Sequence, residues 1–118
     1  MTVQIREEGN LLVGEFRGVM TRAEFDECIR RAEESIRRQG KIRILIVLED
    51  FGGWQRGADW GDVSFALEHD QDVERMAIVG DERWKEDAFV FTAAPFRTTQ
   101  IEFFPHARLD AARAWVKS

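Results

Sequence analysis

The sequence predicts an α/β domain: a mixed sheet of five strands, opened by an antiparallel hairpin and continued by parallel β-α crossovers, with about four helices. Three observations carry that prediction. Ile42 to Leu48 (IRILIVL) is a β-branched and leucine run with a single charge, Arg43, inside it. A strand wetted on one side would alternate apolar and polar residues. This run does not, so both faces should be covered, as in the central strand of a parallel sheet. At the N-terminus, Val3 and Ile5 alternate with polar neighbours, Glu8-Gly9-Asn10 makes a turn, and Leu11 to Gly18 reads as a second strand, so the two should pair as a hairpin. From residue 11 to the end, strand and helix signals alternate, the pattern of parallel strands joined by crossovers. With 118 residues, 44% hydrophobic and 33% charged, the chain has material for one core and no second one, so 1–118 is expected to be a single domain.

The elements follow in order. Thr21-Arg22-Ala23-Glu24 matches a capping box, in which the threonine and glutamate satisfy the first free N–H groups of a helix. Phe25, Cys28, Ile29, Ala32 and Ile36 then fall on one stripe, and Gly40 closes the helix. Its other face carries Arg30, Arg31, Arg37 and Arg38, each with an acid four residues earlier. The expected ladder is Asp26–Arg30, Glu27–Arg31, Glu33–Arg37 and Glu34–Arg38, which neutralises the field that a phosphate backbone would need. After the central strand, Phe51-Gly52-Gly53-Trp54 should turn the backbone sharply. Asp59 is a suitable N-cap for a second helix to about Asp70, with Trp60, Val63 and Leu67 on its core stripe. Glu74 to Gly80 reads as a strand. Asp81 caps a third helix, on which Trp84, Ala88 and Phe91 share a face and which Pro95 ends. Thr99 to Phe104 is the last strand, broken by Pro105, and a helix from Leu109 to Lys117 buries Leu109, Ala112 and Val116.

Composition narrows the function. A formal net charge of -5 argues against nucleic acid as a partner. The single cysteine, Cys28, excludes an intramolecular disulfide and a zinc cage, and it should be a buried structural thiol. The opening MTVQIREEG lacks the basic-then-apolar pattern of a secretory signal, and the 42–48 run is too short to span a bilayer. A cytoplasmic location is expected. Nucleophile-elbow, P-loop and dinucleotide motifs are absent, and no cofactor is expected. His69 and His106 have no ligand-spaced partner. His106 follows a strand's carboxyl end, where Thr21, Glu49, Asp50 and Asp81 should share the rim, so an acid/base pair is one reading. The other is that Thr21 and Asp81 cap helices while Glu49 and Asp50 shape a turn.

The aromatics are the stronger lead. There are nine Phe and four Trp without a tyrosine, a set suited either to an apolar pocket or to a well-filled core. On the second helix, Phe65 lies almost opposite the Trp60–Val63–Leu67 stripe, so it should meet a ligand, a partner or another segment. Trp54 raises the same question. In open parallel sheets, ligands dock outside the carboxyl ends of the strands.

Four stretches, in order, carry a resemblance: GVMTRAEFDE, the apolar strand leading to DFGGW, ADWGDVSFALEHDQDVERMAIVGDERW and DAARAWV. Together they cover most of the chain, which resembles the SpoIIAA-like (STAS-like) superfamily and, within it, small bacterial SpoIIAA-like single-domain proteins. The resemblance implies one of two functions. Anti-sigma-factor antagonists bind a protein kinase and are switched by phosphorylation of a serine in a turn that falls near Asp59-Trp60-Gly61 here. The acid is present and the hydroxyls are not, and Ser64 lies a turn later inside the expected helix. CRAL-TRIO-type carriers enclose lipids between the sheet and mobile helices.

The expectation that follows is a non-enzymatic cytoplasmic binding module for an apolar small molecule or lipid, held between the sheet and the second and third helices. Phe51, Gly52, Gly53, Trp54, Trp60, Phe65, Trp84 and Phe91 would form the site, with Gly52, Gly53 and Gly57 as a hinge. Peripheral membrane contact fits this reading. The alternative is a protein-interaction or regulatory module of anti-sigma-factor-antagonist type, lacking the phosphoacceptor serine and forming a homodimer or binding another protein. Acid/base chemistry at His106 is third.

Overall fold

In the computed structural model, which describes residues 2–57, 68–92 and 98–118, the apolar run is part of the middle strand of five. The strands are β1 (Thr2–Glu8), β2 (Leu11–Met20), β3 (Ile42–Trp54), β4 (Val73–Val79) and β5 (Gln100–Phe104). They lie side by side in chain order. β1 and β2 pair antiparallel and every later pair is parallel. The described α-helices are α1 (Arg22–Gln39), α2 (Lys85–Phe91) and α3 (Leu109–Lys117). The expected second crossover helix, from Asp59 to about Asp70, has all but its last three residues on 58–67, outside the described residues, and with them Asp59, Trp60, Val63, Ser64, Phe65 and Leu67, so three α-helices are described where about four were expected. Pro95 lies outside them as well.

The period-2 alternation of β3 feeds two cores. Ile42, Ile44 and Leu48 point to one face, where Leu12, Phe16 and Met76 meet Ala32 of α1 and Ala88 of α2. Leu45 and Val47 point to the other, where Leu11, Val13, Ala77 and Val79 meet Ala112 and Val116 of α3. Each fully buried aliphatic side chain here contributes about 1.5–3 kcal/mol. The charge inside the run has a use. The Arg43 guanidinium donates to the Val116 carbonyl at 2.9 Å and also to the Ser118 carbonyl, and Arg75 on β4 donates to the Trp115 carbonyl at 2.7 Å. Two strand arginines thus satisfy the carbonyl groups that the end of α3 leaves open.

The capping box is formed. Thr21 Oγ1 accepts from the Glu24 N–H at 3.1 Å, and Glu24 Oε1 accepts from the Thr21 N–H at 2.9 Å. The acid-arginine ladder of α1 is not the expected one. Arg30 holds Glu27 at 2.6 Å and Glu34 at 3.3 Å, and Arg22 holds Asp26 at 3.0 Å. Arg38 leaves its helix for Glu7 on β1 at 2.7 Å. A carboxylate already ordered on a strand costs less side-chain entropy to engage than a mobile one on the same exposed face. Consecutive residues of a strand point to opposite faces, so the neighbouring acids Glu7 and Glu8 reach different helices. Glu7 binds α1, whereas Glu8 binds Arg113 of α3 at 2.9 Å.

Two boundaries differ from expectation. The Phe51-Gly52-Gly53-Trp54 segment is not a sharp turn: β3 continues through it, pairing Gly18 with Phe51 and Met20 with Trp54 across register shifts. Asp50 (φ 46) and Gly53 (φ 99) absorb the irregularity as bulge positions, so Gly52 and Gly53 belong to a paired strand rather than a hinge. Of the three expected hinge glycines, Gly57 (φ 81) alone lies beyond the strand. The helix expected to start at Asp81 begins as a 3-10 turn, Glu82–Trp84, before α2, because the Asp81 carboxylate accepts the Arg83 N–H two residues on and tightens the first turn.

Candidate functional site

The carboxyl ends of β3, β4 and β5 share one rim, and the functional candidates divide there into an aromatic cluster and a polar cleft. In the cluster, Phe51 lies 5.0 Å from Trp54 and 5.2 Å from Trp84, between ring centroids. Trp54 is 5.9 Å from Trp84 and 5.4 Å from Phe91, which meets Phe25 of α1 at 4.8 Å. Most of these pairs are edge-to-face, the arrangement that ring quadrupoles favour. Gly53 makes the approach possible: a Cβ there would sit 3.3 Å from the Trp84 ring. The structure therefore brings together Phe51, Gly53, Trp54, Trp84 and Phe91 of the expected lining and adds Phe25. Gly52 packs instead under Val19 of β2. Trp60 and Phe65 lie outside the described residues.

One polar atom in the cluster stands out. The Trp54 indole N–H is buried without an acceptor, and no other buried side-chain nitrogen or oxygen among the described residues is in that state. Leaving such a donor unsatisfied costs about 1–3 kcal/mol.

The cleft, of ≈ 450 Å³, is lined by Leu48, Asp50, Phe51, Asp81, Arg83, Trp84 and His106, so Phe51 and Trp84 belong to both halves of the rim. Pro105 ends β5, and the short turn His106–Arg108 turns the His106 ring back to the sheet. Its Nε2 lies 2.7 Å from the Leu48 carbonyl oxygen, which can only accept, so Nε2 carries the hydrogen. Arg83 lays its guanidinium over the Trp84 ring, 4.8 Å from the centroid, and among the described residues no carboxylate pairs with it. Asp50 extends into water beside Arg17, 3.6 Å away.

Of the five rim groups expected from sequence, Asp50, Asp81 and His106 converge on this cleft. Thr21 and Glu49 do not: Thr21 caps α1, and Glu49 pairs with Arg17 on β2. Arg83 and Leu48 were not anticipated. Arg83 reads as one more surface charge unless its stacking on Trp84 is known, and the Leu48 contribution is a backbone carbonyl, to which side-chain patterns are blind.

The remaining candidates have structural roles. His69 joins Asp72 at 3.1 Å and lies 3.6 Å from Glu33 of α1, tying the turn before β4 to that helix. Burial pushes the Cys28 thiol up to about 11, which keeps it protonated near neutral pH. Among the described residues no three His, Cys, Asp or Glu side chains gather as metal ligands, and no helix is long and apolar enough to cross a membrane.

A central strand sandwiched between helical layers, with the site at its carboxyl end, defines an α/β binding or regulatory architecture. The SpoIIAA-like family model matches residues 11–117, and the chain belongs to that family. Its fold is shared with the crystal structure of an uncharacterised protein of SpoIIAA-like fold from Shewanella loihica PV-4, at a TM-score of 0.71 and 22% identity over 98% of this chain and 92% of that one. No curated protein matches the chain at a significant level.

Proposed function

We propose that this chain is a non-enzymatic binding module that takes an apolar small molecule or lipid-like chain against the aromatic cluster where β3 and β4 leave the sheet. The observation that carries the reading is the Trp54 indole N–H, buried among rings with no acceptor among the described residues. The donor is covered by packed rings, so a ligand that is mostly hydrocarbon and carries a single oxygen would reach it by parting them. Its position outside the carboxyl ends of parallel strands is where such sheets bind ligands. Native mass spectrometry of the purified protein, followed by lipid extraction and thermal-shift assays with fatty acids and phospholipids, tests the proposal. A co-purifying species lost in Trp54→Phe supports it. No bound species together with no shift in melting temperature refutes it.

A regulatory module that binds protein, including a second copy of itself, is the second reading. The observation in its favour is Val90 on α2, 78% exposed. Light scattering on Val90→Asp separates the two: a dimer dissociates, whereas a monomeric ligand carrier keeps its mass.

A further inference from the structure

We propose that the cleft at the rim binds a zwitterionic head, an ammonium and an oxyanion on one molecule, with Arg83 receiving the oxyanion and Asp81 the ammonium. The inference rests on the proposed function to the extent that this head belongs to the ligand whose apolar part meets Phe51 and Trp84.

Arg83 is the starting point. Its guanidinium lies over the Trp84 ring, 4.8 Å from the centroid, a contact that uses the group's face and none of its edge N–H donors. Among the described residues no carboxylate takes up that fork, which is shaped for two oxygens of a carboxylate or phosphate. Asp81 does not fill it, because one of its oxygens accepts the backbone N–H of Arg83 at 3.0 Å while the Arg83 side chain runs to the ring. The other Asp81 oxygen has no partner among the described residues.

The charges of the walls decide the ligand class. A simple anion would meet two carboxylates, Asp50 and Asp81, and a simple cation would meet Arg83. Asp50 lies 3.6 Å from Arg17, so the Arg83 guanidinium and the second Asp81 oxygen remain, on exposed side chains, as groups of opposite sign with no partner among the described residues. A molecule carrying both charges satisfies both groups at once. His106 also faces the cleft, its Nε2 held by the Leu48 carbonyl and its Nδ1 without a hydrogen bond among the described residues. The ≈ 450 Å³ volume is within the range of small-ligand sites.

The test is isothermal titration of the full chain with O-phosphoethanolamine, inorganic phosphate, ethanolamine, dihexanoyl phosphatidylethanolamine and 1-decanol, repeated on Arg83→Gln and Asp81→Asn. Asparagine retains the cap at Asp81, and circular dichroism checks that both variants fold. The expected result is that O-phosphoethanolamine binds at least about tenfold more tightly than phosphate or ethanolamine, and that each variant loses about tenfold or more. Tighter binding of the short lipid than of its head identifies a lipid as the source, and equal binding identifies a free metabolite. Phosphate binding as well as the zwitterion, no binding of the zwitterion, or parental affinity in either variant overturns the assignment. Decanol binding without zwitterion binding also overturns it and leaves the apolar site standing. Zwitterion binding without decanol binding does the reverse.

Discussion

At the amino ends of β3 and β4 most charged side chains are engaged by the fold, whereas at the carboxyl ends several polar groups have no partner among the described residues. Arg43 and Arg75 close the end of α3, and nearby Asp70 gathers the backbone and hydroxyls of Thr98 and Thr99. A second cleft lies there, lined by Lys41, Arg43, Asp70, Arg75 and Thr99 among others, yet most of these side chains already hold carbonyls, carboxylates or hydroxyls. At the other end the Trp54 indole N–H has no acceptor and Arg83 stacks on a ring without a counter-ion among the described residues. Both ends have a concavity, so shape does not separate them. Polar groups without a protein partner among the described residues do, and the proposed site at the carboxyl rim rests on that difference.

The contrast can be broken or sharpened by substitution. The largest effect is expected at Leu45, fully buried on β3: Leu45→Ala should cost about 2–5 kcal/mol in urea denaturation, and a loss below about 1 kcal/mol would mean that the strand is not sandwiched. At the amino end, Arg43→Met should cost about 1–3 kcal/mol and speed amide exchange in α3, since the helix carbonyls lose their donor. At the carboxyl end, Gly53→Ala meets both a left-handed backbone and the Trp84 ring, so about 1–2 kcal/mol is expected together with a changed tryptophan emission. Trp54→Phe should stay within about 1 kcal/mol of the parent, because relief of the unsatisfied donor offsets the smaller ring; a loss above about 3 kcal/mol would reveal a hidden acceptor.

The smallest effect concerns acid. Hydrogen bonds from Arg113 and Arg6 hold the Glu8 carboxyl well below its ordinary 4.5, at about 2. A depressed carboxylate contributes stability that is complete above pH 4.5 and is lost as pH falls toward 2. Glu8→Gln should therefore lower the urea midpoint at neutral pH and flatten its fall between those values. An unchanged acid profile would show that Glu8 does not tie the hairpin to α3.

What could be read in advance was whatever a single element encodes in its own residues. The apolar run at 42–48, with Arg43 its single charge, required cover on both faces, Thr21 and Glu24 required a helix start, and Gly9-Asn10 after Glu8 required a turn. The rim was partly legible for the same reason: Asp81 and His106 each follow a parallel strand, Asp50 closes the apolar run of β3, and parallel strands bring those ends together. The glycine pair at 52–53 misled, because two glycines permit a turn and a bulge equally well, and pairing with β2 selected the bulge.

The chain's own pattern thus determined the class of fold, the central position of β3 and the edge of the sheet at which a site should lie, since hydrophobic periodicity and end signals act over a few residues. Tertiary structure alone decided that Arg38 answers Glu7, that Arg43 and Arg75 close a helix met at the far end of the chain, and that Arg83 lies on Trp84 with no carboxylate partner among the described residues while His106 reaches the Leu48 carbonyl. Those outcomes depend on which groups compete for a partner in three dimensions, and a one-dimensional pattern contains no record of that competition.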